Sequence, residues 1–266
     1  MSPKPVVELV RESFPARPAF STAISRAILL RAARGELPET TRVHRPGASV
    51  AFGRQDVASP NYRAAVRATR EGGFEAVERL AGGRAAVFHE HTIAISHAVP
   101  DRDPPARTFA RFEEMSEIIA ETLRGLGIDA RTGEVPREYC PGAYSVNARG
   151  RTKLAGVGQR IISGGAHVGG VIVVSESERV RNILLPVYSA LGLDWDPGTV
   201  GSIEDELGAV QYEAVVDAVI EQLAGRYSLA EKTLDEATVG LAEALEPEHL
   251  SPLFDNADSP AGGPAG

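Results

Sequence analysis

The chain has a single cysteine, Cys140, in the stretch Arg-Glu-Tyr-Cys-Pro-Gly-Ala-Tyr-Ser-Val from Arg137 to Val146. A thiolate attacks carbonyl carbon readily and also leaves readily, so it suits a relay for acyl groups. It needs a nearby cation to form at neutral pH. Lys153 follows thirteen positions later. The intervening Asn-Ala-Arg-Gly-Arg reads as a hairpin turn, which would fold Lys153 back toward Cys140. An ammonium there would depress the thiol and could later handle the proton of an incoming amine. Taken singly, Lys153 also fits a surface lysine on an edge strand, and a lone cysteine fits a small buried hydrophobe. Glu138, Pro141 and Gly142 predict an exposed loop or strand start around the thiol.

Two further segments could complete a site. Glu78 to Glu90 carries Gly82-Gly83 between strand-like runs, flanked by Arg79 and Arg84. Such a pair lets backbone approach a ligand closely, and the arginines could hold an anion, although a glycine-rich hairpin with solvated arginines fits as well. Gly156 and Gly158 alternate in a strand-like run, which leaves one face bare for a ligand chain. His167, between glycines, either touches that pocket or is a satisfied polar group. His89 and His91 lie close together, but no second ligand cluster completes a metal pattern. Neither a Walker-type phosphate loop nor a G-x-S-x-G elbow is present.

The elements that must position these residues follow from periodicity. Apolar spacing predicts helices over Phe20–Leu30, Thr108–Leu126, Glu176–Leu191, Val210–Leu223 and Ala230–Leu245, and Ser59-Pro60 starts one running to Ala68. Val50–Gly53, the run from Arg84 to Val99 and the stretch Gly142–Val174 read as strands. Helices and antiparallel strands mix without βαβ alternation. The expected class is therefore α+β, with mixed, largely antiparallel sheets, packed helices and a small C-terminal helical region. Expected divisions are a catalytic domain over 1–200, a helical extension over 201–247 and a disordered tail over 248–266.

The 266 residues are 43% hydrophobic and 24% charged, as in an ordinary globular protein. A net charge of −8 argues against a nucleic-acid partner. One cysteine forms no intrachain disulfide. Charges interrupt every apolar run and no signal-type segment stands at the start, so a cytoplasmic protein with no membrane partner is expected.

Taken together, the segments resemble the biotin/lipoate protein ligase superfamily. Its arginine, Gly-Gly and histidine block is similar to the run through Arg79, Gly82, Gly83 and His89. Its K-x-x-G-x-x-Q-R segment is similar to Lys153, Gly156, Gln159 and Arg160. Gly164 to Val174, with His167, is similar to the strand that follows. The Cys-Pro-Gly-Ala-Tyr-Ser segment resembles the C-P-G-x-Y-D segment of the octanoyl-GcvH:protein N-octanoyltransferase (lipoyl amidotransferase) branch. Ser145 stands where that pattern has aspartate, and His89 is more reminiscent of the ligases. The resemblance implies a fold like class II synthetases and biotin ligases. It implies a cysteine-dependent acyltransferase with Cys140 and Lys153 as catalytic residues. Arg79, Gly82, Gly83, His89, Gly156, Gln159 and His167 would bind substrate. The donor would be octanoyl-GcvH or an acyl carrier protein, and the acceptors would be lipoyl domains of 2-oxoacid dehydrogenases. No cofactor or metal is required on that reading. The alternatives are an ATP- and Mg²⁺-using lipoate–protein ligase, with Lys153 on lipoyl-adenylate, and a non-catalytic lipoyl-carrier-binding protein.

Overall fold

The computed structural model describes residues 3–253. In chain order the strands are β1 (Val6–Val10), β2 (Thr40–His44), β3 (Ser49–Phe52), β4 (Glu75–Glu78), β5 (Ala86–Phe88), β6 (Thr92–Pro100), β7 (Ala130–Thr132), β8 (Val146–Ala148), β9 (Thr152–Ile162), β10 (Gly165–Val173) and β11 (Ser228–Lys232). The helices are α1 (Pro18–Ala33), α2 (Arg54–Val57), α3 (Tyr62–Glu71), α4 (Thr108–Gly125), α5 (Ser177–Leu191), α6 (Ile203–Leu207), α7 (Tyr212–Arg226) and α8 (Glu236–Leu245).

Eight strands form one sheet in the order β11-β1-β2-β6-β10-β9-β8-β7, and β4-β3-β5 form a second. The run from β2 to β7 is antiparallel throughout, whereas β1 pairs in parallel with β2 and β11. The architecture is therefore the mixed α+β class expected. One face of the large sheet is sealed by α4 and α7, whose Ile118, Ile119, Leu123 and Val219 pack with Ile93, Leu154, Val168 and Ile172. On the other face lies α1. Its residues Phe20, Ala23, Ile24, Ala27 and Ile28 are buried as their spacing predicts. The small sheet packs with α3 and α5 around Phe52, Tyr62, Val180 and Tyr188.

The hairpin between β8 and β9 forms where the sequence places it. Arg149 and Gly150 both have positive φ, 56° and 71°, and the Arg151 N–H bonds the Ala148 carbonyl at 2.9 Å. That primed geometry matches the twist of the flanking strands. It sets Lys153 opposite Asn147.

The expected helix over Ala230–Leu245 is corrected at its start. Ser228–Lys232 is a strand, paired residue for residue with Val6–Val10, and the helix begins only at Glu236. Asp235 caps it by accepting from the Thr238 N–H at 2.8 Å. Strand pairing with a distant segment overrides local helix preference here. The chain after Gly201 is woven into the main body, since α7 seals the sheet and Ala242 and Leu245 of α8 pack on α1. Within the expected tail, the Ser251 N–H bonds the Ala76 carbonyl, and His249 Nδ1 lies 2.7 Å from the Glu78 carbonyl. The rest of that tail, from residue 254, falls outside the described residues. Among the described residues no helix is long and apolar enough to cross a membrane.

Candidate active site

A cavity of about 470 Å³ opens between the large sheet, α1 and the small sheet. Cys140, Lys153, Arg79, Gly82, Gly83, Gly156, Gln159 and His167 all line it. The glycines at 156 and 158 of β9 and at 169 of β10 lie together, since Gly158 pairs with Gly169, with Ala81 against Gly158 and the His167 ring against Gly169. Phe112 and Tyr144 stack at its wall, with ring centroids 4.9 Å apart.

Cys140 lies in the loop between β7 and β8 rather than at the start of a strand. The expectation of an exposed segment holds at Pro141 but is corrected before it. Glu138 and Tyr139 are buried and Cys140 is half-buried, because this loop folds inward against Tyr188 and Trp195. The backbone of Cys140 is left-handed, with φ of 42°, which is uncommon for a residue with a side chain. Two contacts hold it. The Cys140 N–H donates to the Tyr188 hydroxyl at 2.8 Å, and that hydroxyl donates to the Ala85 carbonyl at 2.9 Å. The Cys140 carbonyl accepts from Lys153 Nζ at 2.7 Å.

Arg79 Nη2 donates to the Cys140 sulfur at 3.3 Å. Burial pushes the thiol up, but the Arg79 guanidinium, the Lys153 ammonium and hydrogen bonds from Arg79 and the Arg84 backbone outweigh it. The thiol ends below its ordinary value. Close backbone approach makes this contact possible. A Cβ on Gly53 would fall 1.8 Å from the Gly83 carbonyl oxygen. At Gly83, where φ is 96°, a Cβ would fall 2.4 Å from Arg79 Nη2 and 3.0 Å from the sulfur. The Gly-Gly turn thus serves the arginine–thiol pair directly.

Lys153 is buried, and its three donors are all taken. Nζ reaches Glu138 Oε1 at 2.9 Å, the Tyr139 carbonyl at 3.0 Å and the Cys140 carbonyl at 2.7 Å. It also lies 4.9 Å from the centre of the Tyr139 ring. The lysine therefore acts on the thiol through its charge and through the loop backbone. The amides of Cys140 and Gly142 are likewise committed, to Tyr188 and Glu138.

Gln159 lines the cavity, but its amide is tied to α4, accepting from Arg111 Nε at 2.7 Å and donating to the Thr108 carbonyl at 3.0 Å. His167 Nε2 is 2.9 Å from Ser96 Oγ, and burial, with His97 nearby, lowers its imidazole to about 4. His89 is a correction. It is fully buried outside the cavity lining, where Nδ1 accepts from the His91 N–H at 3.2 Å and braces the turn between β5 and β6. Glu138, Tyr188 and Ser145 were not singled out as site residues by sequence reasoning. Among the described residues no cluster of three or more His, Cys, Asp or Glu side chains is placed to hold a metal.

Among curated proteins, an octanoyl-GcvH:protein N-octanoyltransferase of Exiguobacterium is 28% identical over 170 residues, 60% of this chain and 60% of that protein. The same-named protein of Geobacillus kaustophilus is 27% identical over 233 residues, 88% of this chain and 77% of its own. An octanoyltransferase LipM of Kyrpidia tusciae is 27% identical across 85% of this chain and 83% of its length. Among solved structures, lipoate-protein ligase A bound with ATP superposes with a TM-score of 0.74 at 21% identity, covering 91% of this chain and 94% of that one. A bipartite lipoate protein ligase of Thermoplasma acidophilum, solved in work on its E2 lipoyl domain, gives 0.72 at 19%, covering 92% and 93%. These two likenesses carry the fold. The family model described as the lipoyl protein ligase A/B catalytic domain matches residues 17–224, and the chain belongs to that family.

Proposed function

We propose that this chain is a cysteine-dependent acyltransferase that moves an octanoyl or lipoyl group from a carrier protein to the lysine of a lipoyl domain. The observation that carries this reading is the Cys140 sulfur held 3.3 Å from Arg79 at the wall of the cavity, with its thiol depressed. Relatives named octanoyl-GcvH:protein N-octanoyltransferase support octanoyl-GcvH as donor and a second protein as acceptor. The Cys140 thiolate attacks the acyl carbonyl of the donor. The tetrahedral adduct collapses to a thioester as the donor's amine or thiol leaves with a proton taken from solvent. The acceptor lysine's neutral amine then attacks the thioester, gives one proton to solvent, and an amide forms as the thiolate is released. Each step exchanges one acyl bond for another, so the reaction needs no nucleotide to activate a free acid. The acyl chain lies in the cavity that Gly156, Gly158 and Gly169 line.

The ligase alternative asks Lys153 to contact an adenylate. Its three donors are instead spent on Glu138 and two loop carbonyls, which favours the thioester reading. Intact-protein mass spectrometry after incubation with octanoyl-GcvH, without ATP, tests the choice. An octanoyl adduct removable by hydroxylamine is expected, and Cys140→Ser should abolish it. ATP-dependent acceptor modification by the Cys140→Ser protein would sink the proposal.

A further inference from the structure

Glu138 lies two residues before Cys140, and its side chain is wholly out of solvent. Every contact it makes is as an acceptor. Oε1 accepts from Ser145 Oγ at 2.5 Å, Lys153 Nζ at 2.9 Å and the Gly142 N–H at 3.3 Å. Oε2 accepts from the Val135 N–H at 3.0 Å. A buried carboxylate is costly unless paired and hydrogen-bonded, and this one is satisfied within the loop it organises. Its bonds tie together the start of the Cys140 loop, its far end and β9. Lys153, fixed by Glu138, gives its remaining donors to the Tyr139 and Cys140 carbonyls. The left-handed Cys140 backbone thus hangs on a lysine that Glu138 holds in place.

We propose that Glu138 is a positioning residue of this site, whose carboxylate seats Lys153 on the Cys140 carbonyl with Ser145 as its hydroxyl partner. The proposal deepens the acyltransferase reading and rests on Cys140 as the reacting group. It also accounts for Ser145. The C-P-G-x-Y-D pattern has an acid at that position, and Ser145 Oγ touches the Glu138 carboxylate, so an acid at either residue can fill the same space.

The groups acting on the thiol are Arg79, Lys153 and the Arg84 backbone, with Glu138 behind Lys153 and the phenols of Tyr139 and Tyr188 beside it. This arrangement gives the test a sign. If Glu138 acted only through space, removing its negative charge would lower the thiol. If it holds Lys153, removing it leaves the buried lysine without its carboxylate partner, the lysine gives up its seat beside the Cys140 loop, and the thiol rises. The rate of Cys140 alkylation by iodoacetamide, followed against pH in the full chain, reads this directly and does not depend on acyl transfer. Glu138→Ser should move the midpoint up by about one pH unit, the effect of losing one close cation. Glu138→Gln, which keeps the shape and an acceptor, should move it up by less. Glu138→Ser/Ser145→Asp, which exchanges hydroxyl and acid between the two positions, should return it to the wild-type value. A midpoint in Glu138→Gln that is unchanged or lower overturns the proposal. So does a double variant that stays with Glu138→Ser, or one that recovers thermal stability without recovering the midpoint. Should Glu138→Ser fail to fold, Glu138→Gln and the double variant decide. Acyl transfer that survives Cys140→Ser would instead count against the function proposed above, while the alkylation result would still stand on its own.

Discussion

The chemistry of this site turns on which cations reach one sulfur and what holds them there. Among the described residues the Arg79 side chain makes its only hydrogen bond to Cys140 Sγ, and its Nε is buried without a partner. The thiolate is therefore the natural counter-ion of this guanidinium. Arg79→Ala should raise the alkylation midpoint of Cys140 by about one pH unit. Gly83→Ala should do the same with Arg79 still present, because the new Cβ would claim the space of Nη2 and strain a backbone with φ of 96°. A Gly83→Ala protein with the wild-type midpoint would show that the turn is not shaped for this contact. The cysteine, lysine and arginine were legible from sequence because their types carry chemistry. Glu138 was not, since a glutamate beside Pro-Gly signals a solvated loop. Only the inward fold of the loop, which buries Tyr139 against Trp195, turns it into a buried acceptor.

At the scale of elements, local signals performed unevenly for a physical reason. Helices such as α1, apolar along most of its length, and α4, with an apolar stripe, and the Arg149-Gly150 turn were readable, because neighbours in sequence determine them. The strands β1 and β11 were not. β11 is the sheet's edge strand and β1 lies between it and β2, and the two pair with each other across more than two hundred residues of sequence. The glycine cluster on β9 and β10 lies between these cases. The alternating Gly156 and Gly158 were visible, but Gly169 joins them only through antiparallel register. That cluster makes its own prediction. A Cβ on Gly156 would meet only Lys153 Cε at 3.4 Å and Nζ at 3.7 Å, which is ordinary contact, so branches beyond it would enter the cavity. Gly156→Val should fold and react with iodoacetamide nearly as the wild type does. Its octanoylation by octanoyl-GcvH should fall by at least about tenfold, because the acyl carbonyl is displaced from the sulfur. Equal octanoylation rates in the two proteins would remove the glycine-lined cavity as the acyl path.

For the whole molecule, burial of uncharged imidazoles couples folding to acidity. His89 and His167 are each lowered to about 4, chiefly by burial, and then by Arg179 and by His97 respectively. His44, buried beside Arg42, is lowered as well. In the unfolded chain such groups bind a proton near pH 6.5. Between about 6.5 and about 4 the unfolded chain therefore holds more protons than the folded one, and stability falls as the pH falls through that window. Above it these groups have no effect. The Asp235 carboxylate, held below its ordinary range by Arg31 and by Thr238, loses its contribution only at still lower pH, so the two effects separate. At pH 5 each of the two histidines should cost about 2 kcal/mol relative to pH 7. His89 is the better probe because it stands outside the cavity and the one hydrogen bond of its imidazole among the described residues, from the His91 N–H, can be kept by a glutamine oxygen. Urea unfolding at pH 7 and pH 5 should show a large loss in the wild type and a loss smaller by about 2 kcal/mol in His89→Gln. Equal losses in the two proteins would mean that His89 takes up its proton in the folded chain as readily as in the unfolded one, and that burial at the turn between β5 and β6 does not exclude the charge.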